Sequence, residues 1–149
     1  MAAPLSAVAK RAGVGQGSLY RHFPDRVSLA IAVFEENMDA IDALAASPDS
    51  SLRDICDLVT HQTEGTGAFL ELITAERADD RLSGFEARLR SVFAAKLTDD
   101  DGLMGPSATL DDLMLAVGMI AGMVGRAPRE SRHEVAEAAW RLVQRGLSG

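Results

Sequence analysis

The fold is most clearly indicated by the segment Val8-Ala-Lys-Arg-Ala-Gly-Val-Gly-Gln-Gly-Ser-Leu-Tyr-Arg-His-Phe-Pro-Asp-Arg26. This segment predicts a short helix over 5–12, which Gly13 ends as glycine commonly ends helices. A second short helix is predicted over 16–22, and a Pro-Asp pair then stops it and caps a long third helix over 26–46. Two short helices joined by a glycine turn are typical of a helix-turn-helix.

The second short helix has the side chains that a DNA-reading helix needs. Gln16 can pair with adenine, Arg21 with guanine or phosphate, and Ser18 with either. Tyr20 and His22 can hydrogen-bond phosphate oxygens, which fixes the register of the protein without reading bases. Gly17 lets the backbone approach the duplex closely, and Arg26 places a cation at the start of the third helix. The predicted DNA-contacting residues are therefore Gln16, Gly17, Ser18, Tyr20, Arg21, His22 and Arg26.

The charge distribution fits this prediction. The whole chain has a net charge of −7, but residues 1–26 have a net charge of +3. A basic head on an acidic body is what a DNA reader with a separate domain would show. The single cysteine, Cys56, excludes an internal disulfide and fits a reducing cytoplasm. We therefore expect a cytoplasmic protein without a signal peptide or membrane segment.

The segment from Ala9 to Arg26 resembles the signature of the TetR family of bacterial transcriptional regulators. The resemblance is strong over 3–34 and covers the later helices only by their number and order. It implies an all-α homodimer whose heads read the two halves of a palindromic operator. It also implies a C-terminal domain that binds a small molecule and then releases the DNA. By the same resemblance, the second short helix is the recognition helix, and Arg26 takes the place of the Lys or Arg that begins the next helix.

The sequence departs from the family pattern at its start. Family members have a basic, aromatic first helix before the segment that begins here at Ala3, and it packs on positions equivalent to Leu5, Val8, Leu19 and Phe23. We expect this helix to precede Met1 in the full protein. In addition, Pro4 stands where the family often has Thr or Ser, so a hydroxyl contact to phosphate is lost there.

The rest of the chain is also predicted to be helical, over 51–64, 68–78, 84–97, 109–125 and 129–146. The predicted domains are a head with its connecting helix over 1–46 and a ligand-sensing, dimerising body over 47–149. The helix over 109–125 is apolar nearly all round, and the final helix is amphipathic, which together favour a four-helix dimer interface. The alternative is that these two helices only contribute to a core within one chain. The predicted interface residues are Leu113, Val117, Ile120, Val124, Val135, Ala139, Leu142 and Val143.

A small-molecule pocket is predicted between the body helices, where Met and Phe would form an adaptable apolar wall. The alternative is that the same side chains only form the core. The candidates are His61, Phe69, Leu72, Ile73, Phe85, Leu89, Phe93 and Met114. His61 and Glu64 lie one turn apart, but two ligands do not make a metal site, so neither a metal nor a cofactor is expected beyond an unknown effector.

These patterns predict a transcriptional regulator, a ligand-responsive repressor that acts as a homodimer on a palindromic operator. The alternative is a truncated regulator that keeps ligand sensing and dimerisation without binding DNA. An enzyme is not expected, since the sequence has no nucleophile elbow, phosphate-binding glycine loop or metal triad.

Overall fold

A computed structural model describes residues 5–75, 80–98 and 103–147, and every regular element in these residues is helical. The predicted all-α class is therefore confirmed. The elements, in chain order, are α1 (Leu5–Ala12), α2 (Gln16–His22), α3 (Arg26–Ala45), α4 (Leu52–Ala75), α5 (Asp80–Leu97), α6 (Leu110–Arg126), a 3-10 turn (Arg129–Ser131) and α7 (Arg132–Leu147). None of these helices is both long enough and apolar enough to cross a lipid bilayer.

The ends of the first three helices follow from local chemistry. Gly13 has a φ of +69°, a conformation that glycine adopts without the steric cost other residues meet, and it ends α1 as predicted. Asp25 caps α3, because its Oδ1 accepts a hydrogen bond of 2.6 Å from the backbone N–H of Ser28. The turn and the cap fix where the two short helices end and where the connecting helix begins.

The body is built on α4, which packs against α3, α6 and α7, while α5 packs mainly against α3 and α6. Between these helices lies a continuous apolar core that includes the loop before α6. Its buried members are Met38, Ile41, Leu52, Ile55, Cys56, Phe93, Leu103, Met104, Leu113 and Val117. Cys56 is thus a buried structural cysteine, as the sequence suggested. A second, smaller core lies between α6 and α7.

One predicted break is wrong. The sequence Gly65-Thr-Gly67 was expected to separate two helices, but α4 runs without interruption from Leu52 to Ala75. A glycine inside a helix costs only about 1 kcal/mol relative to alanine, which the burial of a long helix can offset. The predicted end of the next helix, at 78, lies outside the described residues.

The C-terminal helices are tied to α4 by polar contacts. The indole N–H of Trp140 donates to Oγ1 of Thr60 at 2.8 Å. Arg132 donates to the backbone carbonyl of Glu64 at 2.6 Å, which fixes the start of α7 against α4. At the start of α6, Thr109 and Asp112 form a capping box. Hydrogen bonds from the Thr109 hydroxyl and N–H hold the pKa of Asp112 below its ordinary value.

Candidate nucleic-acid interface

α2, the predicted recognition helix, presents nearly all of its polar side chains to solvent. Gln16, Ser18, Arg21 and His22 are exposed, and 43% of Tyr20 is accessible in spite of its large aromatic ring. An exposed tyrosine with this much accessible surface is a common anchor in binding sites, where its ring packs and its hydroxyl hydrogen-bonds. The predicted side chains of α2 are therefore all accessible to a partner.

The apolar side chains of the same segment face the other way. Leu19 and Phe23 are half-buried, and Phe23 ends α2 with its backbone N–H bonded to the carbonyl of Leu19 at 2.8 Å. Ala9 of α1 is almost fully buried, at 1% exposure. The separation of an apolar inner side from a polar outer side is what a helix needs if it is to rest on a domain and enter a groove.

Glycine keeps the approach to α2 open. A Cβ atom added at Gly15 or Gly17 would meet no other atom within 4 Å. Both positions therefore face open space, and the lack of a side chain leaves the backbone accessible to a bulky partner such as a nucleic-acid strand.

Lys10 is a cation that the sequence prediction did not include among the DNA-contacting residues. It is exposed, and with Ser6, Ala9, Val14 and Gln16 it lines a shallow hollow between α1 and α2. Its position next to Gln16 adds positive charge at the edge of the recognition helix. The Lys-Arg pair at positions 10 and 11 was the signal that could have indicated it. Arg26 begins α3 as predicted, but its side chain, like that of Arg11, lies outside the described part of the chain.

The predicted dimer residues need a correction. Five of the eight are buried within the chain itself, because they form the side of α6 and α7 that packs on the body. These are Leu113, Val117, Ile120, Val124 and Ala139. Val135 and Val143 are half-buried against the smaller core, and Leu142 alone among the eight is well exposed, at 66%. For the five buried residues, the intramolecular core that the sequence left as an alternative is the correct assignment.

The opposite side of α6 is apolar and open. Leu115, Met119 and Met123 are 62%, 51% and 52% exposed. They are spaced four residues apart, so they lie on one face, and a Cβ added at Gly118 or Gly122 between them would meet nothing within 4 Å. We call Leu115, Gly118, Met119, Gly122 and Met123 the outer face of α6. An apolar surface of this kind on a folded chain usually marks an interaction site.

Four of the predicted pocket residues meet in the main core and not around an open site. Phe93 is fully buried in the core, and Phe85, Leu89 and Met114 pack against that core, so they do not line an open site. His61 is separated from them and is exposed on α4. The side chains of Phe69, Leu72 and Ile73 lie outside the described part of the chain.

An open groove of about 500 Å³ instead lies between α4 and α7. His61 borders it, with Trp140, Arg53 and Arg141, and Leu103 reaches it from the loop before α6. In this groove the carboxylate of Glu64 lies 3.9 Å from Nδ1 of His61 and 3.4 Å from Nδ1 of His133. No set of three such side chains in the described residues converges on a metal position.

Comparison with known proteins identifies the head. The family of bacterial regulatory proteins called the tetR family has a model that matches residues 2–33, which include α1, α2 and the start of α3. No curated protein matches the chain significantly. The match covers the helix-turn-helix and its exposed recognition helix, and it leaves the body to be understood from the structure alone.

Proposed function

We propose that this chain, a DNA-binding transcriptional regulator that belongs to the TetR family of bacterial regulatory proteins, is a repressor. It binds a palindromic operator as a homodimer. It releases the operator when a small effector binds. In this binding protein the head reads DNA, and the body dimerises and senses the effector.

The observation that carries the proposal is the two-sided recognition helix. Gln16, Ser18 and Arg21 are exposed together, while Leu19 and Phe23 on the same short segment are half-buried. Amide, hydroxyl and guanidinium groups are those that read base edges in the major groove. The acidic body, by contrast, repels phosphate and would keep DNA contact confined to the head.

The outer face of α6 supports the homodimer. Its exposed leucine and methionines form an apolar surface that water disfavours, and Leu142 of the neighbouring helix α7 is exposed as well. A two-fold axis through this surface would place α6 and α7 of each copy against those of the partner, in a four-helix arrangement. The glycines at 118 and 122 would allow the two α6 helices to approach closely, since neither has a side chain in the way.

The groove between α4 and α7 supports the response to an effector. It combines the aromatic ring of Trp140 with side chains that donate and accept hydrogen bonds, which is the composition of many small-molecule sites. α7 is also one of the two proposed dimer helices. An effector bound there would therefore contact an element of the proposed interface directly.

The test of DNA reading is a pair of substitutions in α2. Arg21→Ala should weaken binding to a cognate duplex by about tenfold or more, because a good base contact contributes about 1–3 kcal/mol and the dimer has two copies. Tyr20→Phe, which removes only a hydroxyl, should have a smaller effect in the same direction. Fluorescence anisotropy with a labelled duplex gives the affinities.

Arg90→Ala is the matched control, because Arg90 is exposed on α5, outside the head and the proposed dimer helices, and the substitution removes the same charge. It should leave the affinity nearly unchanged. If Arg90→Ala and Arg21→Ala weaken binding equally, α2 is not the reading helix. A wild-type chain that dimerises but binds no duplex would instead be the dimerising, ligand-sensing module without DNA binding.

A further inference from the structure

Arg88 joins the connecting helix α3 to the body. From its position on α5, its guanidinium donates from Nη1 to Oε2 of Glu35 at 2.8 Å. Its Nη2 donates to Oδ1 of Asp39 at 3.1 Å and to Oδ2 of Asp42 at 2.5 Å. The three carboxylates are spaced at i, i+4 and i+7 along α3, so they lie in one row on its surface. A single arginine therefore spans two turns of the helix that leads to the head.

The contact is specific in geometry. The planar guanidinium has its donors in a fixed fork, which lets it hold several carboxylates in a defined arrangement, whereas a lysine ammonium is a rotatable point charge. The hydrogen bonds that it donates to Asp42 and Asp39 raise the pKa of Arg88, so the side chain stays charged. Three negative charges face one positive charge, and without Arg88 the carboxylates of α3 would repel one another.

Close by, α3 and α5 also meet through an aromatic contact. The rings of Phe34 and Phe85 have centroids 5.7 Å apart and planes inclined at 50°. Both are next to the arginine cluster, because Phe34 precedes Glu35 and Phe85 lies three residues before Arg88. The ring pair sets the distance between the helices by packing, whereas the arginine holds a directed, forked contact along the axis of α3.

We infer that Arg88 is a positioning residue for DNA binding: it fixes the angle at which α3 carries the head, and so the separation of the two recognition helices in the dimer. The inference rests on the proposed function, because it assigns a role within operator binding. It goes beyond that function in naming a residue that touches no DNA.

A small tilt of α3 has a large effect at the head. Arg26 lies about 14 Å before Glu35 along the helix axis and about 24 Å before Asp42. A tilt of about 10° around the arginine cluster would therefore move the start of α3 by roughly 2–4 Å. One base-pair step is about 3.4 Å. If the angle between α3 and the body varied in each protomer, the dimer would bind half-sites over a range of spacings about one base pair wider.

The same contacts should matter little for folding. Arg88 is 35% exposed, and its partners Glu35, Asp39 and Asp42 are 54%, 75% and 44% exposed. Exposed ion pairs typically add little to the stability of a fold. Loss of Arg88 is therefore expected to change the orientation of the head more than the melting temperature.

The first experiment measures affinity for a series of duplexes in which the spacer between the half-sites is the preferred length, or one base pair shorter or longer. The wild-type chain should discriminate strongly between spacers. Arg88→Ala should bind the preferred duplex about five- to tenfold more weakly and lose at least half of the discrimination between spacers. A merely destabilised protein would weaken on all three duplexes in proportion and keep its preference.

Arg90→Ala is the matched control. Arg90 lies on the same helix and loses the same charge, but it pairs with Asp111 of α6 and not with α3. It should keep the wild-type spacer profile. Arg88→Lys keeps the positive charge but lacks the forked donors, so its affinity should depend on spacer length to an intermediate degree. If Arg88→Ala does not fold, Arg88→Lys serves as the test variant. A wild-type profile in folded Arg88→Ala, or an equal loss in Arg90→Ala, would overturn the inference.

The second experiment does not use DNA, so it separates this inference from the proposed function. Spin labels are attached to cysteines introduced by Ser18→Cys in the head and Ala94→Cys on α5, both at exposed positions. The native cysteine is removed by Cys56→Ala. Labelled chain is diluted with unlabelled chain so that only distances within one chain are measured. Arg88→Ala should broaden the distribution of head-to-body distances, and Arg90→Ala should not. Equal widths in wild type and Arg88→Ala would refute the positioning role even if operator binding is established.

Discussion

Met119→Glu should convert the proposed dimer into a monomer and abolish binding to the proposed operator. Met119 is 51% exposed at the centre of the outer face of α6, between Leu115 and Met123. In a two-fold dimer the substitution places two carboxylates against an apolar surface and near each other. An unpaired buried charge costs about 3–5 kcal/mol, so the dimerisation constant should weaken by about 100-fold or more. Sedimentation equilibrium measures this directly.

Ala94→Glu is the control for the added charge, since Ala94 is exposed on α5 and outside the proposed interface. It should leave the molecular mass in solution unchanged. The monomer formed by Met119→Glu should remain folded, because the inner side of α6 still packs on the body. Dimers of normal affinity in Met119→Glu would show that the outer face of α6 is not the interface.

Phe93→Ala should lower the free energy of unfolding by about 3–5 kcal/mol. Phe93 is fully buried on α5 and belongs to the main core with residues from α3, α4 and α6. Truncation to alanine removes a large apolar side chain and leaves a cavity that the surrounding helices fill only in part. Urea unfolding followed by circular dichroism at a fixed protein concentration gives the change.

Phe85→Ala makes the same chemical change at a half-buried position that also packs on this core. It should cost clearly less than Phe93→Ala, because less apolar area is lost from the interior. Equal losses in the two variants would mean that Phe93 is not the central core residue that its burial indicates. A pocket-lining role for Phe93, which its sequence pattern also allowed, would instead show as a small change in stability and a large change in effector binding.

The head could be predicted well from the sequence because its signals are local. Gly13 ends α1 through its own backbone conformation, and Asp25 caps α3 through a bond to a residue three positions away. Such features depend on a few neighbouring residues and do not require knowledge of the rest of the fold. The sequence alone was therefore enough to place α2, with its exposed and half-buried residues.

The proposed dimer surface could not be located from the sequence in the same way. α6 is apolar nearly all round, so its hydrophobic period does not distinguish the side that packs on the body from the side that faces outward. The sequence pattern favoured Leu113, Val117 and Ile120, which the structure buries, over the exposed Leu115 and Met119. Only the packing of α4 and α7 against α6 decides between the two sides.

Contacts between residues far apart in the chain could not be predicted from the sequence either. Arg88 meets carboxylates that lie 46 to 53 residues before it, and no local pattern indicates such partners. The groove between α4 and α7 likewise joins residues far apart in the chain, and of these only His61 was among the predicted pocket residues. The body helices were predicted as elements, but the surfaces they form depend on how they pack.

Selection from a pool of random duplexes is the decisive test of whether the head of this chain reads DNA. The purified wild-type chain is incubated with the pool at about 50 mM salt, where phosphate contacts are strong, and bound duplexes are amplified and sequenced. The account predicts enrichment of an inverted repeat whose half-site centres are about 34–36 Å apart or a multiple of that. No enrichment over the starting pool at this salt concentration would contradict it.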